Sequence, residues 1–211
     1  MSTINLKKVS IAAGVAVSAG TATAARPKEV KKLIKKIKDE NAEVRTEAWL
    51  SAGEVGAPAV RALAKVMTDD NLEVARAAKR ALWKIVRHTG RPGADDERRA
   101  VETELIKLLG KKRPVAVRRE VLWMLSEIGG SESVMPIAML ITDEDLREDT
   151  RMALERIPGE KAVRALKAGL KVGSEDFKPN IAQSLRKRGE EVEGYPCKKL
   201  VPTKQTDVKP L

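Results

Sequence analysis

The sequence predicts an all-α fold: a right-handed αα-solenoid, or superhelix, of about four to five two-helix repeats. Three observations lead there. A two-helix unit at 41–70 recurs along the chain in one register. No stretch shows strand-like alternation or a βαβ pattern. The 211-residue chain is rich in alanine and holds one Phe, one Tyr and three Trp, as expected where helices pack closely in antiparallel pairs. Charged residues make up 34%, which suits many thin amphipathic helices with wide solvated faces.

The unit reads NAEVRTEAWLSAGEVGAPAVRALAKVMTDD and divides at Gly56. Val44, Ala48, Ala52 and Val55 recur at helical spacing and form one apolar stripe. Asn41 stands where an N-cap belongs, and Glu43 adds negative charge beside the positive end of the helix dipole. Gly56 permits the turn that closes the helix, and Pro58 suits the first turn of the next. Val60, Leu63 and Met67 form the second stripe. Neither helix buries its apolar face alone, so each needs neighbours.

The anchor Val44 is followed by Val74, Val117, Leu146 and Phe177, at intervals of 30, 43, 29 and 31 residues. Each anchor carries its stripe: Ala78, Leu82 and Ile85; Val121, Leu125 and Ile128; Thr150, Leu154 and Ile157; Ile181, Leu185 and Arg188. Three residues before the anchors stand Asn41, Asn71, Pro114, Asp143 and Ser174, four of them good N-caps and one a proline tolerated at a helix start. A basic residue follows four of the five anchors: Arg45, Arg118, Arg147 and Lys178. This caps-and-core register marks a helical repeat protein.

On the acidic or Asn opening before Val-Arg, the small Ala positions and the Gly between helices, the chain resembles the HEAT family, specifically the short repeats of about 30 residues in phycobilin-lyase-type HEAT proteins. The resemblance covers 27–189. It implies a solenoid whose second helices line the concave face. It does not imply one activity, because the same repeat serves scaffolds, adaptors and a few enzymes. The second copy departs from the pattern, with Ala75 for the basic residue and Val86 for the inter-helix Gly.

Taken in order, 1–25 lies outside the repeat. Lys7 and Lys8, a soft apolar stretch over 9–20, and Thr21-Ala22-Thr23-Ala24-Ala25 have the order of a secretory signal. The other reading is a disordered Ala-rich leader on a cytoplasmic protein. A helix over 27–38, with Val30, Leu33, Ile34 and Ile37 on one side, matches the second half of the unit and serves as an N-terminal cap. After the unit comes a long helix from Asn71 to about His88. Gly90, Arg91, Pro92 and Gly93 then break the chain, and a helix resumes near Asp95 with Val101, Leu105 and Leu108 on its stripe. This insertion is expected to decorate a surface. The stretches 113–142 and 143–172 are further copies, and 174–189 supplies a last helix in which Arg188 replaces the core Ile. The segment 190–211 carries little apolar periodicity and reads as a disordered tail or a partner-binding strip.

Few residues offer catalytic chemistry. The chain has one histidine, His88, and one cysteine, Cys197, and no cluster has metal-ligand spacing. The paired His-Glu motifs of di-iron HEAT hydroxylases are missing, as is a Gly-rich phosphate loop. We therefore expect a non-enzyme with no cofactor and no metal. Asp143, Glu144, Asp145, Glu148 and Asp149 sit at an expected helix start, where acids favour the dipole. Trp49, Trp83 and Trp123 fall at different places in the register and read as packing between repeats. No apolar run is long enough to cross a bilayer as a helix.

Positive charge is the remaining signal. There are 41 basic against 30 acidic residues, and 71–113 holds 12 basic against 6 acidic. A second bias lies on the second helices, where Lys31, Lys35, Arg61, Lys65, Met135, Met139 and Arg164 recur one and five residues past the anchors, with Lys167 beside Ala168. On the concave face that the resemblance implies, they form a ridge with basic ends and a Met-rich centre. The same charges also read as a solvated helix face. Three functions fit: a monomeric scaffold or adaptor holding an acidic protein or peptide on that ridge, a nucleic-acid-binding HEAT-like protein, or a lyase or isomerase subunit similar to the phycobilin-lyase HEAT proteins. Location follows the leader: periplasmic or extracellular if it is cleaved, cytoplasmic otherwise.

The leader reading predicts cleavage near Ala24, Ala25 and Arg26, leaving a chain that starts just before the 27–38 helix. Intact-mass measurement on protein from its native host checks this. An uncleaved Met1 end would refute export.

Overall fold

The computed structural model describes residues 27–196, and these are all-α, with ten helices and no strand among them. In chain order the helices are α1 (Pro27–Ile37), α2 (Ala42–Val55), α3 (Ala57–Val66), α4 (Leu72–Thr89), α5 (Asp95–Ile106), α6 (Val115–Ile128), α7 (Val134–Ala138), α8 (Arg147–Arg156), α9 (Glu160–Val172) and α10 (Lys178–Lys187). The leader reading at 1–25 and most of the tail lie outside the described residues.

Local chemistry sets the boundaries. The Asn41 side chain accepts from Glu43 N at 2.8 Å, and Asn71 accepts from Glu73 N and Val74 N at 3.0 and 3.3 Å, so α2 and α4 start where the caps predict. Gly56 ends α2 and opens α3 at φ 65°, a value that side chains other than glycine rarely adopt. Asp143 also accepts from a backbone N two residues on, Asp145 N at 3.2 Å, but neither there nor at Ser174 does the helix begin at once. The chain first tightens into a turn in which Leu146 N and Arg147 N bond to Asp143 O, and Phe177 N and Lys178 N to Ser174 O. The helices α8 and α10 therefore begin four residues beyond those positions. The anchors Leu146 and Phe177 sit at the helix starts but remain buried.

The even-numbered helices α2, α4, α6, α8 and α10 each pack on the next, and so do α1, α3 and α5, and α7 and α9. One connected apolar core runs from Leu33 to Leu185. The stripes expected from the repeat line it: Ala78, Leu82 and Ile85, then Val121, Leu125 and Ile128, then Leu154 and Ile157, are all buried. The most extensive interface joins α2 to α4. It is close because Gly53 has no side chain; a Cβ there would lie 2.9 Å from His88 Cβ. The histidine at the end of α4 is thus a half-buried packing residue.

The insertion is not surface decoration. The break at Gly90 to Gly93 turns the chain back so that α5 packs on α3, α4 and α6, with Val101, Leu105 and Leu108 fully buried. The carboxylate of Glu102, also buried, accepts from Gly130 N at 2.7 Å and Ser133 Oγ at 2.5 Å. A buried carboxylate needs such donors, so α5 is tied to the turn between α6 and α7.

Polar ties join successive helices. Arg118, buried at the start of α6, donates to Leu109 O at 3.0 Å and to Asp143 at 3.1 Å. Arg147 reaches Ser174 Oγ and Asp176 at 2.8 and 2.7 Å and lies over the Phe177 ring. Arg45 instead serves its own loop, donating to the carbonyls of Asp39 and Glu40. The indole N–H of Trp83 donates to Glu120, and that of Trp123 to Asp149. Arg188, at the position of a core Ile, donates to the carbonyls of Leu154, Glu155, Ile157 and Gly159 and so closes the end of α8. The tail is not free from its first residue: Arg186 binds the carbonyls of Val192, Gly194 and Tyr195.

Two predictions follow from this packing. Leu125 is fully buried in a central helix, so Leu125→Ala is expected to cost about 2–5 kcal/mol, read from denaturant unfolding. An unchanged unfolding midpoint would contradict it. Glu155 accepts from Ser184, Arg151 and Lys187 between α8 and α10. Burial pushes its carboxyl up, but Lys187, Ser184 and Arg151 outweigh burial and hold it below the ordinary carboxylate range. Its contribution is thus present above the unfolded value of about 4.3 and lost as pH falls through the lower folded value. Glu155→Gln should therefore melt lower at neutral pH, and its deficit should shrink toward pH 3. Melting curves across that range test it.

Candidate interaction surface

The residues that the repeat places one and five positions past the second-helix anchors are all exposed. Lys31 and Lys35 lie on α1, Arg61 and Lys65 on α3, Met135 on α7 with Met139 just past its end, and Arg164 and Lys167 on α9. The inward positions of the same helices fill the core: Leu33 and Ile37, Val60 and Leu63, Val134 and Ile137, Val163 and Leu166. The burial of those stripes turns the basic and Met positions outward. A spacing of four residues sets paired side chains one above the other, about 6 Å apart along the axis.

Helix α1 packs on α3, so the first four cations share one region of surface. Among the described residues Lys31, Lys35 and Lys65 have no ion pair, while Arg61 has a loose one with Glu104 at 3.8 Å. Between α1 and α3 runs a groove of about 590 Å³, lined by Ile34, Lys38, Ala62, Lys65, Asp69 and Asp70 among others. At its rim Lys38 and Asp69 pair at 2.7 Å. That hydrogen bond, with a second from Asn71 N, holds the Asp69 carboxyl below its ordinary range and keeps it charged. The groove is therefore mixed in charge, and Lys65 is its lining cation with no ion pair among the described residues.

The remaining candidates stand apart from that region. Helix α9 packs on α7, α8 and α10, and Lys167 is neutralised by Glu190 at 2.5 Å, which removes it from the free positive field. Met135 and Met139 are 67% and 78% exposed, well beyond the usual lot of a methionine. They are flexible, polarizable side chains offered to solvent from α7 and the residue just past it.

Three acids of the stretch 143–149 are engaged by side chains of α6, α8 and α10. Asp143 pairs with Arg118, Asp149 with Arg119 and Trp123, and Glu148 with Arg151 and Asn180. Among the described residues no group of three His, Cys, Asp or Glu side chains is placed to hold a metal ion. No described helix is long and apolar enough to cross a membrane. A second basic surface belongs to α4, outside the positions that the repeat register singles out. The excess of basic residues over 71–113 pointed to it, and only the pairing of each cation separates its free residues from its bound ones.

No family model and no curated protein matches the chain. Among solved structures it is similar to the crystal structure of an engineered protein, at 22% identity over 75% of this chain and 78% of that one, with a TM-score of 0.40.

Proposed function

We propose that the chain is a non-catalytic scaffold of HEAT-like repeats, a right-handed αα-solenoid over 27–189, that binds an acidic protein or peptide segment along its second helices. The serial packing of α2, α4, α6, α8 and α10, with α1, α3 and α5 packed in parallel series, supports the repeat reading. The observation that carries the binding reading is that the second-helix register leaves Met135 and Met139 exposed at α7 and the unpaired Lys31 and Lys35 exposed on α1. Cations draw in an acidic segment, and the methionines supply adaptable apolar contacts once it is seated. Exposed charges are screened beyond roughly 10 Å at 0.1 M salt, so affinity falls as salt rises.

A labelled polyglutamate peptide tests the electrostatic half of this reading. Reversing Lys31, Lys35, Arg61 and Lys65 to Glu should weaken its binding at least tenfold with little change in melting temperature. Reversing Lys198, Lys199, Lys204 and Lys209 in the tail should leave it intact. The opposite pattern moves the site from the helices to the C-terminal segment.

A further inference from the structure

Helix α4 carries Arg76, Lys79, Arg80, Lys84 and Arg87 against one carboxylate, Glu73. At 100° per residue, these five and Trp83 fall within an arc of about 140°, opposite the buried Val74, Ala78, Leu82 and Ile85. Some of these charges are spent. Arg76 pairs with Glu73 and Lys79 with Glu120. Arg80, Lys84 and Arg87 have no ion pair among the described residues, and all three are exposed. They climb the helix in steps of about 6 and 4.5 Å, a continuous run of free cations along one edge.

Two of the three are held in place. Arg80 lies over the Trp49 ring of α2 at 5.9 Å from its centroid, and Arg87 over the Trp83 ring at 5.4 Å. A guanidinium laid on an indole loses little of its donor capacity, because its N–H groups point outward in the plane of the fork. Each is thus set to take two phosphate oxygens. On α6, which packs on α4, Trp123 occupies the register position of Arg80, six residues past its anchor. It is 42% exposed, and the bond from its indole N–H to Asp149 fixes the ring.

We propose that this face of α4, continued by Trp123 on α6, binds single-stranded nucleic acid. The cations follow the phosphates and the exposed indole offers a plane on which an unpaired base stacks. An acidic peptide would satisfy the cations but has no use for the aromatic plane, so the tryptophan decides between them. The carboxylates inside the field, Glu120 and Asp149, are already bound by Lys79, Trp83, Arg119 and Trp123. Glu47 and Glu54 lie about 160° and 140° around α2 from Trp49, on the side turned from α4. Glu127, one turn beyond Trp123, marks the limit of the track. This surface is independent of the second-helix ridge.

The test is fluorescence anisotropy with a labelled single-stranded oligothymidylate across a salt series. The full chain should bind with a steep salt dependence. Reversing Arg80, Lys84 and Arg87 to Glu should lower affinity at least tenfold. It should also flatten the log–log salt slope by about two, at about 0.7 per lost phosphate contact. Trp123→Ala should weaken binding about tenfold with the slope unchanged, a separation that electrostatics alone does not produce. Reversing Lys31 and Lys35 should leave the oligonucleotide bound. If the Glu variant fails to fold by circular dichroism, the same three residues changed to Gln replace it. Absence of salt-dependent binding, or equal affinity in the α4 variants, overturns the proposal. So does tight binding of polyglutamate, and not the oligonucleotide, through the same three residues.

Discussion

Every helix of this chain is too thin and too one-sided to stand alone, and the close approach of consecutive even-numbered helices is what relieves that. The α2–α4 interface shows the requirement at its sharpest. Ala48, Ala52, Gly53, Ala77, Ala78 and Ala81 are all buried, and Gly53 leaves room for His88. Small side chains let the backbones come near, and the larger Val, Leu and Ile positions then fill the space between those helices and their neighbours. A larger residue at Gly53 would push His88 aside and move α4, which carries the unpaired Arg80, Lys84 and Arg87.

Packing on one apolar core does not by itself hold a register between helices, and a set of charged side chains does that here. Arg118 joins the end of the α5 segment to the turn before α8, Glu102 joins α5 to the turn before α7, and Arg188 closes the end of α8 from α10. These groups lie where solvent is scarce, so an unpaired partner would cost more than the bond contributes in water. Some acidic residues near helix starts are tied to neighbouring helices in the same way: Asp143 to Arg118, Asp149 to Arg119 and Asp176 to Arg147.

Such pairing explains why charge counting and charge availability differ in this protein. Lys167 and Arg61, both part of the second-helix ridge, have carboxylate partners, while Lys31, Lys35, Arg80, Lys84 and Arg87 have none among the described residues. Lys31 and Lys35 belong to the second-helix register, which farther along also leaves Met135 and Met139 exposed, whereas Arg80, Lys84 and Arg87 lie on α4 beside tryptophans. Methionine adapts to an irregular apolar partner, whereas a fixed indole offers a flat one.

The sequence by itself determined the helical class, the caps at Asn41 and Asn71, the turn at Gly56 and nearly every core position, because these depend on periodicity and on backbone preferences within a few residues. Val101, Leu105 and Leu108 were readable as a stripe for the same reason. Tertiary structure alone decided that the helix bearing them completes the core, since the break before it leaves the direction of the chain open until α3, α4 and α6 are in place. It also decided the starts of α8 and α10, where a tight turn after Asp143 and Ser174 precedes the first helical turn. The pairing of surface charges was equally out of reach. Glu104 meets Arg61, Glu190 meets Lys167 and Glu120 meets Lys79 across gaps in sequence that only folding closes, so which lysines and arginines stay free is a property of the packed helices.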